Sequence, residues 1–279
     1  MAGLPVKVIV LRTAGTNCDR EMVFAFASLG AAVELVHINR LFSRDVRLSD
    51  FHILAIPGGF TYGDDIMSGR ILANELRIRL SEEIKDFVHD GKLILGVCNG
   101  FQVLVRAGIL PGSKSSSGNL TFQQTVSLSN NDSGKFEDRW VHLRLSGDSV
   151  WTKGLDEMMY VPIAHAEGKF VVPNEETLSQ LKKNNQIAFR YCNTDGEKGG
   201  YPVNPNGSID DIAGITDPTG RILGMMPHPE RHFSPLNHPA WTRKDHLSHL
   251  GQGANIFLNG VRYAREQLLG KTQVAVAKG

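Results

Sequence analysis

The residue best placed to do chemistry is Cys98, in the run Leu93-Ile94-Leu95-Gly96-Val97-Cys98-Asn99-Gly100-Phe101-Gln102. A G-x-C-x-G pattern between an apolar strand-like stretch and a helix is the cysteine form of a nucleophile elbow. The sharp strand-to-helix turn crowds the backbone, so side chains two positions either side of the cysteine would collide, which is the reason for Gly96 and Gly100. The sulfur is exposed above the carboxyl end of a sheet, facing free N–H groups that favour negative charge upon it. The amide of Asn99 then faces any oxyanion formed by attack. A thiolate also needs a proton donor and acceptor, and Met226-Pro227-His228-Pro229-Glu230-Arg231 offers one. Pro229 restricts His228 to extended angles, so His228 and Glu230 project to the same side and the carboxylate can orient the imidazole. A third piece is Ala55-Ile56-Pro57-Gly58-Gly59-Phe60, a strand ending in two glycines. There the backbone of Gly58 or Gly59 can present a second N–H to an oxyanion, each such donor being worth about 2.7–4 kcal/mol in measured cases.

Elements that alternate between strand and helix must position these pieces. Val6–Leu11, Ala32–His37, Phe51–Ile56 and Leu93–Val97 are expected strands. Glu21–Leu29, Ser81–Asp90 and Asn99–Ala107 are expected helices, with Ser81 as N-cap and Gly30, Gly91 and Gly108 past the helix ends. Strands that are apolar throughout and joined by helices imply an open, mostly parallel α/β sheet with helices on both faces. The second half is richer in antiparallel strands. Thr121–Ser129, Trp140–Leu145, Val161–Val172 and Gln186–Tyr191 are expected strands, and Ile212–Thr216 with Arg221–Met225 forms a hairpin across Asp217-Pro218-Thr219-Gly220. Ala254–Leu269 closes the chain as a helix, and the tail after Gly270 is expected to fray. The expected organisation is one domain over 1–279 with a C-terminal extension around 232–279.

Composition excludes several other classes. The 279 residues carry 30 Lys+Arg against 29 Asp+Glu, a net +1, which gives no electrostatic reason for nucleic acid or an anionic membrane as partner. A hydrophobic share of 41% with 21% charged excludes wholesale disorder. No apolar run approaches the roughly 20 residues that span a bilayer. The start is too short in apolar residues for a secretion signal, and Cys18, Cys98 and Cys192 form neither a CxxC pair nor an even set. A reducing cytoplasm is therefore the expected location. No phosphate loop of the GxxxxGK[ST] type is present.

Taken together, these segments resemble the class I glutamine amidotransferases, those with a Cys-His-Glu triad. Within that family the likeness is to the purine-biosynthesis branch, the glutaminase subunits of phosphoribosylformylglycinamidine synthase. It is carried by Gly15-Thr16-Asn17-Cys18-Asp19, Pro57–Asp65, Gly96–Gln102, Pro162–Phe170, Tyr201–Ile215 and Gly224–His232. The resemblance implies a flavodoxin-like glutaminase fold and hydrolysis of glutamine to glutamate and ammonia, with Cys98 as nucleophile, His228 as general acid and base and Glu230 orienting it. It further implies an oxyanion hole at Gly59 and Asn99, and substrate contacts from Gln102, Gly58, Asn131, Ser133 and Phe136. No cofactor or metal is implied for this chain, since ATP and Mg would bind a synthetase subunit that receives the ammonia, assisted by a small accessory subunit. Leu11-Arg12-Thr13-Ala14 departs from the Phe-Pro found in many members. Extra length is expected around 113–119, 146–160, 174–185 and 234–252.

Other signals have blander readings. Cys18 and Cys192 lack elbow glycines and read as loop or core packing. His232, His238, His246 and His249 read as solvated surface rather than a metal site, and His165 and Glu167 as either interface or allosteric residues or a satisfied strand-end pair. Asn119, Asn131 and Asn206 begin glycosylation-type triplets that have no meaning without secretion. The competing functional readings are a glutaminase for a different ammonia acceptor, a cysteine esterase, and a non-catalytic module whose elbow cysteine senses oxidation. The esterase is disfavoured because its acid would come before a late lone histidine, whereas Glu230 follows His228 by two residues.

Overall fold

In the computed structural model, residues 4–115, 120–243 and 246–270 are described. The tail after Gly270, expected to fray, and Asn119 of its triplet lie outside them. The strands are β1 (Lys7–Arg12), β2 (Ala32–His37), β3 (Ile53–Ile56), β4 (Leu93–Val97), β5 (Ser113–Lys114), β6 (Leu120–Thr121) and β7 (Ser127–Ser129). They continue with β8 (Glu137–Leu145), β9 (Met158–His165), β10 (Lys169–Val171), β11 (Ile187–Cys192), β12 (Ile212–Thr216) and β13 (Ile222–Met225). The α-helices are α1 (Asp19–Ala27), α2 (Ile38–Phe42), α3 (Arg70–Arg79), α4 (Ser81–His89), α5 (Asn99–Arg106), α6 (Glu175–Lys183) and α7 (Ala254–Tyr263), the last running on as a π-helix over Ala264–Leu269.

One sheet of nine strands carries the fold, in the order β2-β1-β3-β4-β13-β12-β11-β8-β9. From β2 to β13 every neighbour is parallel. From β13 to β9 every neighbour is antiparallel. The strand-rich second half therefore extends the same sheet. The central strands β3, β4 and β13 are buried at every residue, as strands covered by helices on both faces must be. Helices α1 and α7 meet through the edge-to-face pair Phe26 and Phe257, whose ring centroids are 5.0 Å apart.

The register decides what shares the upper edge. Ile56 pairs with Gly96 and Met225 with Val97, so β3, β4 and β13 end at one level. The loops that follow them, with the loop after β1, crowd together at the carboxyl ends of the parallel strands, the usual place for ligands in open α/β sheets.

Some expected elements differ. Thr121–Ser129 keeps only its two ends as strand, in β6 and β7. Val161–Val172 divides into β9 and β10 because Ala166-Glu167-Gly168 turns away from the sheet under the hold of Asn131, which accepts from the Gly168 amide at 3.0 Å. Ser81 is the first residue of α4 rather than its cap, since Leu80 occupies that position. Helices α2, α3 and α6 were not among the expected elements. The stretch 174–185, expected as extra length, is α6, capped by Asn174 accepting from the Thr177 amide at 2.9 Å. His228–Glu230 is not extended either. Pro229–His232 forms a 3-10 turn closed by Arg231 N–H to the His228 carbonyl at 3.2 Å, favoured by proline at its first position.

The elbow tolerates no side chain at Gly100, where a Cβ would lie 1.9 Å from the Ile56 carbonyl oxygen. We expect Gly100→Ala to lower stability by roughly 1–3 kcal/mol or more, the range for overpacked cores, read as a fall in Tm. An unchanged Tm would refute the close approach of β3 to α5.

Candidate active site

Cys98 stands between β4 and α5 as the N-cap of the helix, with φ 51° and ψ −108°. Its amide is tied to the Met225 carbonyl at 2.8 Å, across the pairing of β4 with β13. On the sides, a Cβ on Gly96 would meet Leu104 Cδ1 at 2.5 Å and the Gly100 carbonyl at 2.7 Å. The thiol points toward the Ala164 carbonyl, 3.6 Å away at the end of β9. The amide of Asn99, as the first residue of α5, has no partner within the helix.

His228 reaches the same place from β13. Its amide donates to the Pro162 carbonyl at 2.8 Å, which fixes it beside β9. Its Nδ1 lies 2.5 Å from Glu230 Oε1, both side chains being buried. The 3-10 turn, rather than extended geometry, brings this carboxylate back to the ring. Burial acts to lower the imidazole pKa, but the Glu230 carboxylate, then Cys98 and Cys18, outweigh it and hold the pKa well above its ordinary value. Nε2 has no hydrogen-bond partner among the described residues and is free for a reacting group.

Gly58 links the two. A Cβ there would lie 2.7 Å from His228 Cε1 and 3.3 Å from Cys98 Cβ, so only glycine lets nucleophile and imidazole close around this loop. Gly59 is at φ +139° and bridges to Thr16. The flanking Phe60 amide closes that bridge by donating to the Gly15 carbonyl at 2.9 Å, which leaves the Gly59 amide directed away from it.

The other expected contacts sit differently. Gln102 is spent inward: Nε2 donates to the Glu167 carbonyl at 2.6 Å, and Oε1 accepts from Asn99 Nδ2 at 3.0 Å. Asn131 is spent too, donating to the carbonyls of Lys135 at 2.9 Å and His165 at 2.8 Å. Ser133 donates to Glu137 at 2.7 Å. Phe136 is about half exposed and faces Phe60 at 6.4 Å between ring centroids, setting its loop beside the Gly-Gly turn. The three expected triad residues thus lie together, while Gln102 and Asn131 brace the loops around them.

Sequence reasoning missed the neighbour of one residue and the burial of another. Cys18, read as loop or core packing, is buried and also lies against His228: one ligand-type atom each from Cys18, His228 and Glu230 falls within 4.8 Å of the others. Cys18 also accepts from Arg231 at 3.1 Å, and its amide donates to the Gly58 carbonyl at 3.2 Å. Burial raises its thiol pKa, against the opposing pull of His228, so it stays protonated at neutral pH. The three atoms do not make a convincing metal centre, because Nδ1 and Glu230 already satisfy each other and a structural site wants four ligands. His232, read as surface, is buried, with Nδ1 2.7 Å from the Tyr160 carbonyl and its ring 5.1 Å from Trp140. Nothing near Cys18 in sequence could have revealed its neighbour 210 positions on; only the sheet order does.

A buried cysteine on an elbow, beside an imidazole held by a carboxylate, is an arrangement able to carry thiol-based amide hydrolysis. Residues 5–264 match the family described as CobB/CobQ-like glutamine amidotransferase domain, and the chain belongs to that family. A phosphoribosylformylglycinamidine synthase subunit PurQ from Dehalococcoides mccartyi is 46% identical, over 94% of this chain and 98% of the relative. One from Methanococcus maripaludis is 40% identical, over 92% and 97%. The solved structure of PurLQS from Thermotoga maritima aligns with a TM-score of 0.70 at 28% identity, covering 93% of this chain and 99% of that one. Among the described residues no helix is long and apolar enough to cross a membrane.

Three outcomes follow from this arrangement. A glutamine-mimicking electrophile should label Cys98 and spare the protonated Cys18, read by peptide mapping. Loss of the imidazolium at high pH removes the proton donor, so activity should fall as pH rises through the elevated His228 pKa. Glu230→Gln, which deletes the strongest raising influence, should move that alkaline limb of kcat/KM down by roughly one pH unit or more.

Proposed function

We propose that this chain is the glutaminase subunit of phosphoribosylformylglycinamidine synthase, with Cys98, His228 and Glu230 as its triad. The observation that carries the reading is the elbow sulfur held next to a His228–Glu230 pair, Nδ1 to Oε1 2.5 Å, at the carboxyl edge of the parallel strands. The relatives named PurQ support the acceptor pathway.

The thiolate of Cys98 attacks the carboxamide carbon of glutamine, and the carbonyl electron pair moves to oxygen, which the amides of Asn99 and Gly59 receive. When the intermediate collapses, the C–N bond breaks and the nitrogen takes the proton of the His228 imidazolium, leaving as ammonia. The neutral imidazole then removes a proton from water. The resulting hydroxide attacks the thioester, the C–S bond breaks, and glutamate departs with the thiolate restored. Glu230 holds Nδ1 so that Nε2 is the edge presented throughout. Each backbone donor contributes about 2.7–4 kcal/mol to the oxyanion by analogy with measured cases.

Ammonia reaching bulk water is protonated and ceases to be a nucleophile, so a synthetase subunit must receive it through a sheltered path. A small accessory subunit belongs to the same assembly, and a cytoplasmic location goes with this reading. The chain needs no cofactor or metal of its own, ATP and Mg belonging to the synthetase. Glutaminase activity should be weak alone and rise when the synthetase is added. In the reconstituted complex, Cys98→Ser should abolish glutamine-dependent synthesis and preserve synthesis from ammonium salts. Loss of both, with the fold intact, would falsify the division of labour.

A further inference from the structure

The end of β9 holds a buried histidine that the triad chemistry does not use. His165 closes β9, one residue after the Ala164 carbonyl that lies 3.6 Å from Cys98 Sγ. Its tautomer can be read from its neighbours. Asn131 Nδ2 donates to two carbonyls, those of Lys135 and His165, at 2.9 and 2.8 Å, so the other end of that amide is its oxygen. The oxygen accepts from the Gly168 amide at 3.0 Å and stands 3.1 Å from His165 Nδ1. An acceptor facing Nδ1 puts the proton there and leaves the lone pair on Nε2.

That lone pair is buried and meets no donor among the described residues. The ring cannot turn to find one, because Gly168 lies across its face: a Cβ there would fall 2.2 to 2.6 Å from Cε1, Nδ1 and Nε2. Burial, with a contribution from the positive charge of His228, pushes the His165 pKa down to about 3, so the ring stays a neutral acceptor. The loop holding it is pinned to the elbow helix by Gln102, which donates to the Glu167 carbonyl at 2.6 Å, and to the β11 side by Asn206, which donates to the Gly168 carbonyl at 2.9 Å. A fixed, unpartnered acceptor, one residue beyond the carbonyl that meets the Cys98 thiol and near enough to feel the charge of His228, calls for a ligand that brings an N–H.

We propose that His165 reads the carboxamide of glutamine, its Nε2 accepting one amide N–H while Cys98 attacks the carbon. This rests on the glutaminase reading above and adds a specificity residue to it. The bond turns the departing nitrogen so that its developing lone pair faces the proton on His228. It also discriminates: a site built to accept a hydrogen bond disfavours an analogue that cannot donate one.

The test compares L-glutamine with L-glutamate γ-methyl ester, which forms the same thioester on Cys98 but has no amide N–H. In the complex with its synthetase, His165→Leu should lower kcat/KM for glutamine roughly 30-fold and leave that for the ester within about 3-fold. His165→Gln, whose side-chain oxygen can stand where Nε2 was, should recover part of the glutamine rate. The ester rate doubles as the check that the variant is folded. Equal losses on both substrates, or no loss on glutamine, would overturn the role of His165 while leaving the glutaminase reading intact. A wild-type complex inert toward both substrates would overturn the glutaminase reading and this proposal with it.

Discussion

The backbone at Cys98, at φ 51° and ψ −108°, occupies a region that costs a residue with a side chain about 1–3 kcal/mol. Its surroundings enforce it. The Cys98 amide is bonded to the β13 edge at Met225, and the start of α5 sits so close to Ile56 that Gly100 has no room for a Cβ. Removing either support would let the turn relax and the sulfur drop out of line. The rest of the site can be described as what must surround a thiol held in that position.

The parallel half of the sheet supplies the platform, and the antiparallel half supplies the wall. Because β13 is parallel to β4 and antiparallel to β12, it belongs to both, and it is β13 that delivers His228 to the elbow. The far strand β9 returns alongside, holding the His228 amide at Pro162 and lending the Ala164 carbonyl to the thiol. Segments that look like ordinary loops become braces. Asn206 and Ser208 steady the turn at Gly168, where Asn206 donates to the Gly168 carbonyl at 2.9 Å and Ser208 accepts from the Phe170 amide at 2.9 Å. Asn99 ties the elbow to the Gly-Gly loop by accepting from the Thr61 hydroxyl at 2.7 Å.

Two buried histidines at the site illustrate how environment assigns roles. His228 and His165 are both almost fully enclosed, yet one is driven toward its charged form and the other away from it. The difference is the partner at Nδ1. Glu230 offers a full negative charge, whereas Asn131 offers only an amide oxygen. Desolvation therefore loses at His228 and wins at His165. Burial likewise raises the Cys18 thiol, which stays protonated beside the same imidazole.

Local chemistry made much of this legible before any coordinates. The glycines around Cys98, the capping Gly30, Gly91 and Gly108, and the hairpin at Asp217 each carry their reason within a few residues, and the strands with uniform apolar content had to be central. Helix α6 was missed, although Asn174 followed by Glu175 and Glu176, with Lys182 and Lys183 at its end, are signals that suit a helix and its dipole. Tertiary structure alone decided the pairings across the chain. The approach of Cys18 to His228, the burial of His232 under Trp140, the inward use of Gln102 and Asn131, and the lone pair of His165 all depend on which strands lie side by side. Hydrogen-bond reach is a few ångströms, whereas the partners are tens to hundreds of residues apart. Residue type and spacing can name a nucleophile and its base, but only the sheet order and its register can say which other groups are forced to keep them company.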